Sequence, residues 1–317
     1  MKNISTPKII FTFFALLTLI PWISSGFALL LGILFAITLD NPFAANMSKL
    51  IQNLLLVAIT GLGAGMNLKI IAHVGMHGLL YTITGIFLTI TLGSYLGKLL
   101  KVEENCSRLI TIGTAICGGS AIAAFSPVIK AKPHELSVAL GTVFMLNAAA
   151  LFLFPWIGHH LLLSEAQFGL WSALAIHDTS SVVGATLSYG HQALEIGTTV
   201  KLARAMWIMP LCLGMTLYLN KKNSPASSAS KVKFPWYIVG FLSTAALVTW
   251  IPALTEAGHT LDHLAKRLMV FTLFLIGSNL NRATIRSVGL QPFLQGITLW
   301  ILVASSSLAV IYFGIIT

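Results

Sequence analysis

His177 and Asp178 stand side by side, followed by Thr179, Ser180 and Ser181, within an otherwise apolar stretch, Phe168–Gly190. Counting helical rise from Phe168 places Asp178 about 15 Å along the segment, near the middle of a hydrocarbon core. A carboxylate at that depth is costly and marks an ion or substrate pathway by default. His177 beside it is either a satisfied buried histidine or a titrating group. Adjacent helical residues point roughly 100° apart, so His177 and Asp178 cannot form the relay of a hydrolase triad.

Lys201 and Arg204 lie three residues apart on one helix face, about 12 and 16 Å into Ala193–Leu219. Two cations against the single carboxylate at comparable depth leave a net positive centre. That argues for an anionic substrate, with Arg204 offering a bidentate fork to an oxyanion. The bland alternatives are that Asp178 pairs with one cation to hold the bundle, and that the other cation pairs with Glu195 or with backbone carbonyls. On the substrate reading, alanine at Arg204 abolishes anion binding and leaves the protein folded.

A third segment, Arg108–Ala131, carries Cys117-Gly118-Gly119-Ser120 and then Ser126-Pro127. Paired glycines and a proline make a poor continuous helix. The functional reading is a helix broken near the midplane whose exposed backbone lines a cavity and holds an anion. The plain alternative is that Gly-Gly allows close helix packing.

The solvent of these elements follows from composition. Of 317 residues, 56% are hydrophobic and only 9% charged, and mean hydropathy is +0.87. Soluble domains carry about 25% charged residues. Continuous apolar runs near 20 residues indicate spanning helices rather than a β-barrel. The expected fold is therefore an all-α polytopic membrane protein with about 10–11 transmembrane helices. The apolar runs fall near 8–21, 23–39, 48–66, 74–99, 108–130, 134–157, 168–189, 193–219, 236–252, 264–281 and 290–316. Residues 1–317 read as one transporter domain, its halves joined near 220–234 by the Ser/Ala-rich stretch Lys221–Lys233. The acidic residues Glu103, Glu104, Glu135 and Glu165 and the cluster 256–267 read as solvated loops.

The net charge of +10 belongs to loops and is no sign of nucleic-acid binding. With the N-terminus inside, twelve Lys and Arg collect on the inner side and five on the outer, which predicts a cytoplasmic N-terminus. Three scattered cysteines, Cys106, Cys117 and Cys212, suggest neither disulfides nor a metal. No cofactor is expected. No second midplane carboxylate or nucleophile–base pair supports an enzyme.

Internal repeats are visible. Ala115–Ala124 aligns with Ala175–Gly184, matching the glycine pair to Asp178-Thr179. Gly141…Asn147…Pro155 aligns with Thr198…Arg204…Pro210, which makes Asn147 a polar group facing the site from the other repeat. A fainter echo joins Gly65–Leu68 to Gly277–Leu280. Internal repeats with binding segments at equivalent places are a mark of secondary transporters.

These motifs, GTAICGGSAIAAFSPVIKA, AIHDTSSVVGA and VKLAR followed by a proline, resemble the YeiH-type family of bacterial inner-membrane proteins described as sulfate exporters. The resemblance runs from about residue 20 to the C-terminus. It implies a ten- or eleven-helix secondary transporter, distantly related to cation–proton antiporters and anion transporters, that exports sulfate or a related sulfur oxyanion or sulfonate. The family's pattern falls here on Cys117, Gly118, Gly119, Ser120, His177, Asp178, Thr179, Ser180, Ser181, Lys201 and Arg204. The implied partners are a small inorganic or sulfonate anion, protons coupled through His177 and Asp178, and the lipid bilayer. A homodimer is the common assembly of such folds. A Na⁺/H⁺-type antiporter using Asp178 and a passive anion channel are the alternatives. Whether 108–130 and 168–189 are broken spanning helices or re-entrant hairpins stays open from sequence.

Overall fold

The computed structural model describes residues 6–39, 41–66, 68–222, 236–279 and 288–314. All regular structure among them is helical: α1 (Thr6–Leu17), α2 (Ser25–Thr38), α3 (Ala44–Gly63), α4 (Leu68–Leu99), α5 (Glu104–Ala115), α6 (Gly119–Phe125), α7 (Pro133–His160), α8 (Glu165–Ala175), α9 (Thr179–Tyr189), α10 (His191–Ala205), α11 (Ile208–Lys222), α12 (Trp236–Trp250), α13 (Thr255–Ser278) and α14 (Leu290–Tyr312), with a short 3₁₀ turn at Pro252–Leu254. From residue 223 to 235 the Ser/Ala-rich linker lies outside the described residues, as do parts of the Gly65/Gly277 echo.

Each expected apolar run falls on a helix or on a helix pair separated by a short break. Among the described residues, three helical stretches are long and apolar enough to cross a membrane alone: His134–His160, His191–Met215, which runs through the turn between α10 and α11, and Leu290–Tyr312. A fourth span arises if Ile238–Trp250 and Pro252–Ser278, bent by 114°, are taken together. Of the remaining runs, 74–99 lies on the 32-residue α4 and the others are shorter helices or are interrupted; two of the interruptions are where the chemistry gathers. The outward faces of α1, α4, α11 and α14 carry large exposed apolar side chains such as Phe13, Phe87, Leu213 and Ile301, as lipid contact requires.

Two groups of helices share the work. α12 and α13 return to pack on α2 and α3, while α4, α7, α10 and α14 surround the interrupted helices α5–α6 and α8–α9. Small residues permit the closest approaches. A Cβ on Gly32 would fall 2.1 Å from the Phe274 carbonyl oxygen, and one on Gly277 would fall 2.3 Å from that of Leu29. α9 joins the groups, because the Ser25 hydroxyl of α2 donates to the Gly184 carbonyl at 2.6 Å.

Two expectations for the acidic residues are corrected. Glu135 is buried, 2% exposed, and its carboxylate accepts the Lys132 N–H at the start of α7, while Asn105 Nδ2 donates to it at 3.4 Å. The region 256–267 is helix rather than loop. Gly258, Asp262, Ala265 and Met269 form its buried stripe, with the spacing of one helix face. Asp262 packs against Gly65 and pairs with Lys266 at 2.7 Å, with side-chain exposures of only 7% and 17%. Alanine at Asp262 strands the Lys266 ammonium and is expected to cost about 3–5 kcal/mol. Thermal unfolding of the purified protein checks this, and adding Lys266→Met should recover part of the loss.

Candidate functional site

The two interruptions fall at the repeat-equivalent positions. α5 ends at Ala115 and α6 resumes at Gly119; α8 ends at Ala175 and α9 resumes at Thr179. The local causes differ. At the first break Gly118 adopts φ +63°, ψ −126°, a conformation that L side chains disfavour, and its N–H turns back to the Gly113 carbonyl at 2.8 Å. At the second break Asp178 is extended and caps α9, accepting the Ser180 N–H at 3.1 Å and the Ser180 hydroxyl. The breaks touch, since a Cβ on Gly118 would lie 3.4 Å from both Cα and Cβ of Asp178.

Each break leaves the last carbonyls of a half-helix without helical partners. The two cations of α10 take them. Lys201 Nζ donates to the Ile176 carbonyl at 2.6 Å and to that of Ala173 at 3.3 Å. Arg204 spans both breaks: Nε donates to Ala115 O at 2.8 Å, Nη2 to Thr114 O at 3.4 Å, and Nη1 to the carbonyls of Leu174 and Ala173. Both side chains are fully buried, at 0% and 1% exposure. Cations at helix C-termini also complement the helix dipoles. The guanidinium fork that sequence assigned to an oxyanion is thus occupied by backbone. Among the described ion pairs none joins Asp178 to Lys201 or Arg204, and none involves Glu195.

Around this frame lie polar groups with no hydrogen-bond partner in the protein. Asn147 of α7 accepts the Asp178 N–H on Oδ1 at 3.2 Å, and its Nδ2 is unpartnered. Both ring nitrogens of His177, at 1% exposure, are also unpartnered. So are the hydroxyls of Ser172, Thr198 and Thr199 and the indole N–H of Trp300, whose ring centroid stands 6.5 Å from that of His177. Buried polar atoms without protein partners indicate water or ligand nearby. Asp178 itself is only partly buried, Thr179, Ser181 and Cys117 are buried, and Ser120 on α6 is exposed. The structure therefore brings Cys117, Gly118, Gly119, Asn147, His177–Ser181, Lys201 and Arg204 to the paired breaks, while the Ser120 side chain turns outward.

Sequence reasoning missed Ser172, Thr198, Thr199 and Trp300. Ser172 sits within a segment already singled out at a position no motif marks, while Thr198 and Thr199 open a repeat element that was read for Arg204 rather than for its hydroxyls. Trp300 comes from α14, far along the chain, and only packing brings it here.

An all-α chain with several apolar helices, two of them interrupted at facing breaks held by buried cations, is a multi-pass membrane protein. The chain belongs to the family described as Conserved hypothetical protein 698, whose sequence profile matches residues 11–296. It is 55% identical over 314 residues to a UPF0324 membrane protein of Bdellovibrio bacteriovorus, covering 99% of this chain and 97% of that one. Similar bacterial relatives bearing the same description occur in Bacteroides thetaiotaomicron, 42% identical with 95% and 92% of the two chains covered, and in Geobacter sulfurreducens, 44% identical with 94% of each covered. No solved structure matches.

Proposed function

We propose that this protein is a secondary transporter that carries a small anion, sulfate or a related sulfur oxyanion or sulfonate, out of the cytoplasm across the bacterial inner membrane. The observation that carries the reading is the arrangement at the paired breaks. Two tethered cations hold four half-helix carbonyls and one more at Ile176, while a partly buried carboxylate and unpartnered polar side chains stand around them. Lys201 and Arg204 act on the anion mainly through their field. Direct contacts come from Asn147 Nδ2, the Thr179, Ser180 and Ser181 hydroxyls and backbone, and the chain around Gly118. Asp178, with His177, exchanges the coupled proton. The choice of a sulfur oxyanion, the inner membrane and the outward direction rest on the YeiH-type resemblance, and the cytoplasmic N-terminus rests on the twelve-to-five distribution of cationic residues. The reading is of a carrier rather than an enzyme, because the hydroxyl–carboxylate contact at the breaks, Ser180 to Asp178, belongs to the cap of α9 and the His177 imidazole engages neither.

A thermal-shift screen of the purified protein tests this with sulfate, sulfite, thiosulfate, taurine, sulfoacetate, chloride and Na⁺. A ligand that binds only the folded state raises its apparent stability, by about 2.7 kcal/mol at a hundredfold excess over Kd. Stabilisation by one of the oxyanions, lost in Asn147→Leu, is the expected result. Stabilisation by Na⁺ with no anion effect would replace this reading by a cation–proton antiporter.

A further inference from the structure

This inference rests on the anion-carrier reading and concerns how the proton and the anion share one place. α9 is 11 residues long and opens with Thr179, Ser180 and Ser181. Its N-terminus offers an anion aligned N–H groups and the positive end of a helix dipole. That position already holds a carboxylate: Asp178 takes the Ser180 N–H at 3.1 Å and the Ser180 hydroxyl, and lies beside the Ser181 N–H. A second donor points to the same place. Asn147, 3% exposed, is bound by Oδ1 to the Asp178 N–H at 3.2 Å and keeps its Nδ2 unpartnered there. A buried amide free to donate, next to a helix N-terminus, suits an oxyanion better than a cation.

An ionised Asp178 and a bound oxyanion compete for those donors and repel each other across a few ångströms of weakly screening protein. Protonating Asp178 removes both obstacles. The carboxyl no longer needs the Ser180 donors, and the formal charge of Asp178, Lys201 and Arg204 together rises from one to two positive charges, the complement of a dianion. We propose that the anion and one proton bind together and cross in the same direction, with Asp178 acting as an internal anion that the substrate displaces once it is protonated.

The surrounding elements leave this task to Asp178. α10 brings Lys201 and Arg204, both fixed on carbonyls, and the α5–α6 break brings the Cys117 thiol. α7 carries Asn147 at its middle, with His134 and Glu135 at its start and His159 and His160 at its end. α8 carries Glu165 at its start, α10 carries His191 and Glu195 in its first turns, α13 carries Glu256, His259, Asp262, His263, Lys266 and Arg267 in its first half, and α2 carries no titratable residue. His177, in the same break, is the imidazole adjacent to Asp178 in the chain.

Affinity for sulfate, thiosulfate and sulfoacetate, measured calorimetrically on the full-length protein at several pH values, tests the proposal. Above the pH at which Asp178 ionises, affinity in the wild type should fall about tenfold per pH unit, the slope for one proton taken up with each anion. Asp178→Asn, which keeps the helix cap, should bind the anion with no such slope. In proteoliposomes with a trapped pH indicator, entry of the anion should acidify the lumen through the wild type only. Affinity independent of pH in the wild type, alkalinisation on anion entry, or loss of binding in folded Asp178→Asn would overturn co-transport while leaving the carrier reading standing. Failure of the wild type to bind any of the three anions at any pH would overturn both.

Discussion

Alanine at Arg204 is expected to lower the unfolding temperature of the ligand-free protein sharply, and not merely to weaken binding. The guanidinium donates to Thr114 and Ala115 at the end of α5 and to Ala173 and Leu174 at the end of α8. Removing it strands buried carbonyls at two half-helix ends at once. With each charge-assisted bond contributing about 1.5–3 kcal/mol, the loss should reach at least ~3 kcal/mol. Lysine at 204 keeps a charge but has no planar fork to reach both helices, so only partial recovery is expected. Thermal unfolding of the purified variants measures this. An Arg204→Ala protein as stable as the wild type would mean that the guanidinium does not hold the breaks together.

The second large effect is expected at Gly118. Its φ of +63° with ψ −126° is costly for any side chain and most of all for a β-branched one. A Cβ there would also stand 3.3 Å from Val143 Cγ1 and 3.4 Å from Asp178 Cα. Gly118→Val combines about 1–3 kcal/mol of backbone strain with a similar cost of overpacking. Gly85, in the middle of α4 with nothing within 4 Å of its would-be Cβ, is the matched control, and Gly85→Ala should leave stability near that of the wild type. Because the strain at 118 is relieved by pushing on Asp178, whatever Gly118→Val folds should also lose the proton dependence of anion binding.

Much of this centre is legible in the sequence. Gly118-Gly119 removes side chains where the chain must turn, and an Asp followed by Thr-Ser-Ser is a helix-start signal wherever it lies. Both breaks therefore fall where the repeat Ala115–Ala124 and Ala175–Gly184 places them. What the residues do across helices was not legible. Helical rise gives the depth of Arg204 but not the direction of its fork, so the backbone of two other helices, 89 and 30 positions away, could not be seen as its partner. The same gap explains the departure from a folded but non-binding Arg204→Ala. Asp262 escaped for a different reason. Residues 256–267 are rich in charge and read as loop, yet Gly258, Asp262, Ala265 and Met269 repeat with helical spacing, and Asp262 finds both Lys266 and the bare surface of Gly65. Charge density hid a period that was present.

The measurement closest to the central claim is counterflow of labelled sulfate or thiosulfate into proteoliposomes preloaded with the unlabelled anion. The anion-carrier account predicts exchange that needs no Na⁺, is diminished in Asn147→Leu and persists without a net proton gradient, because loaded carriers exchange. Absence of oxyanion exchange, together with Na⁺-driven proton movement that disappears in Asp178→Asn, would contradict it and make the paired breaks a cation site.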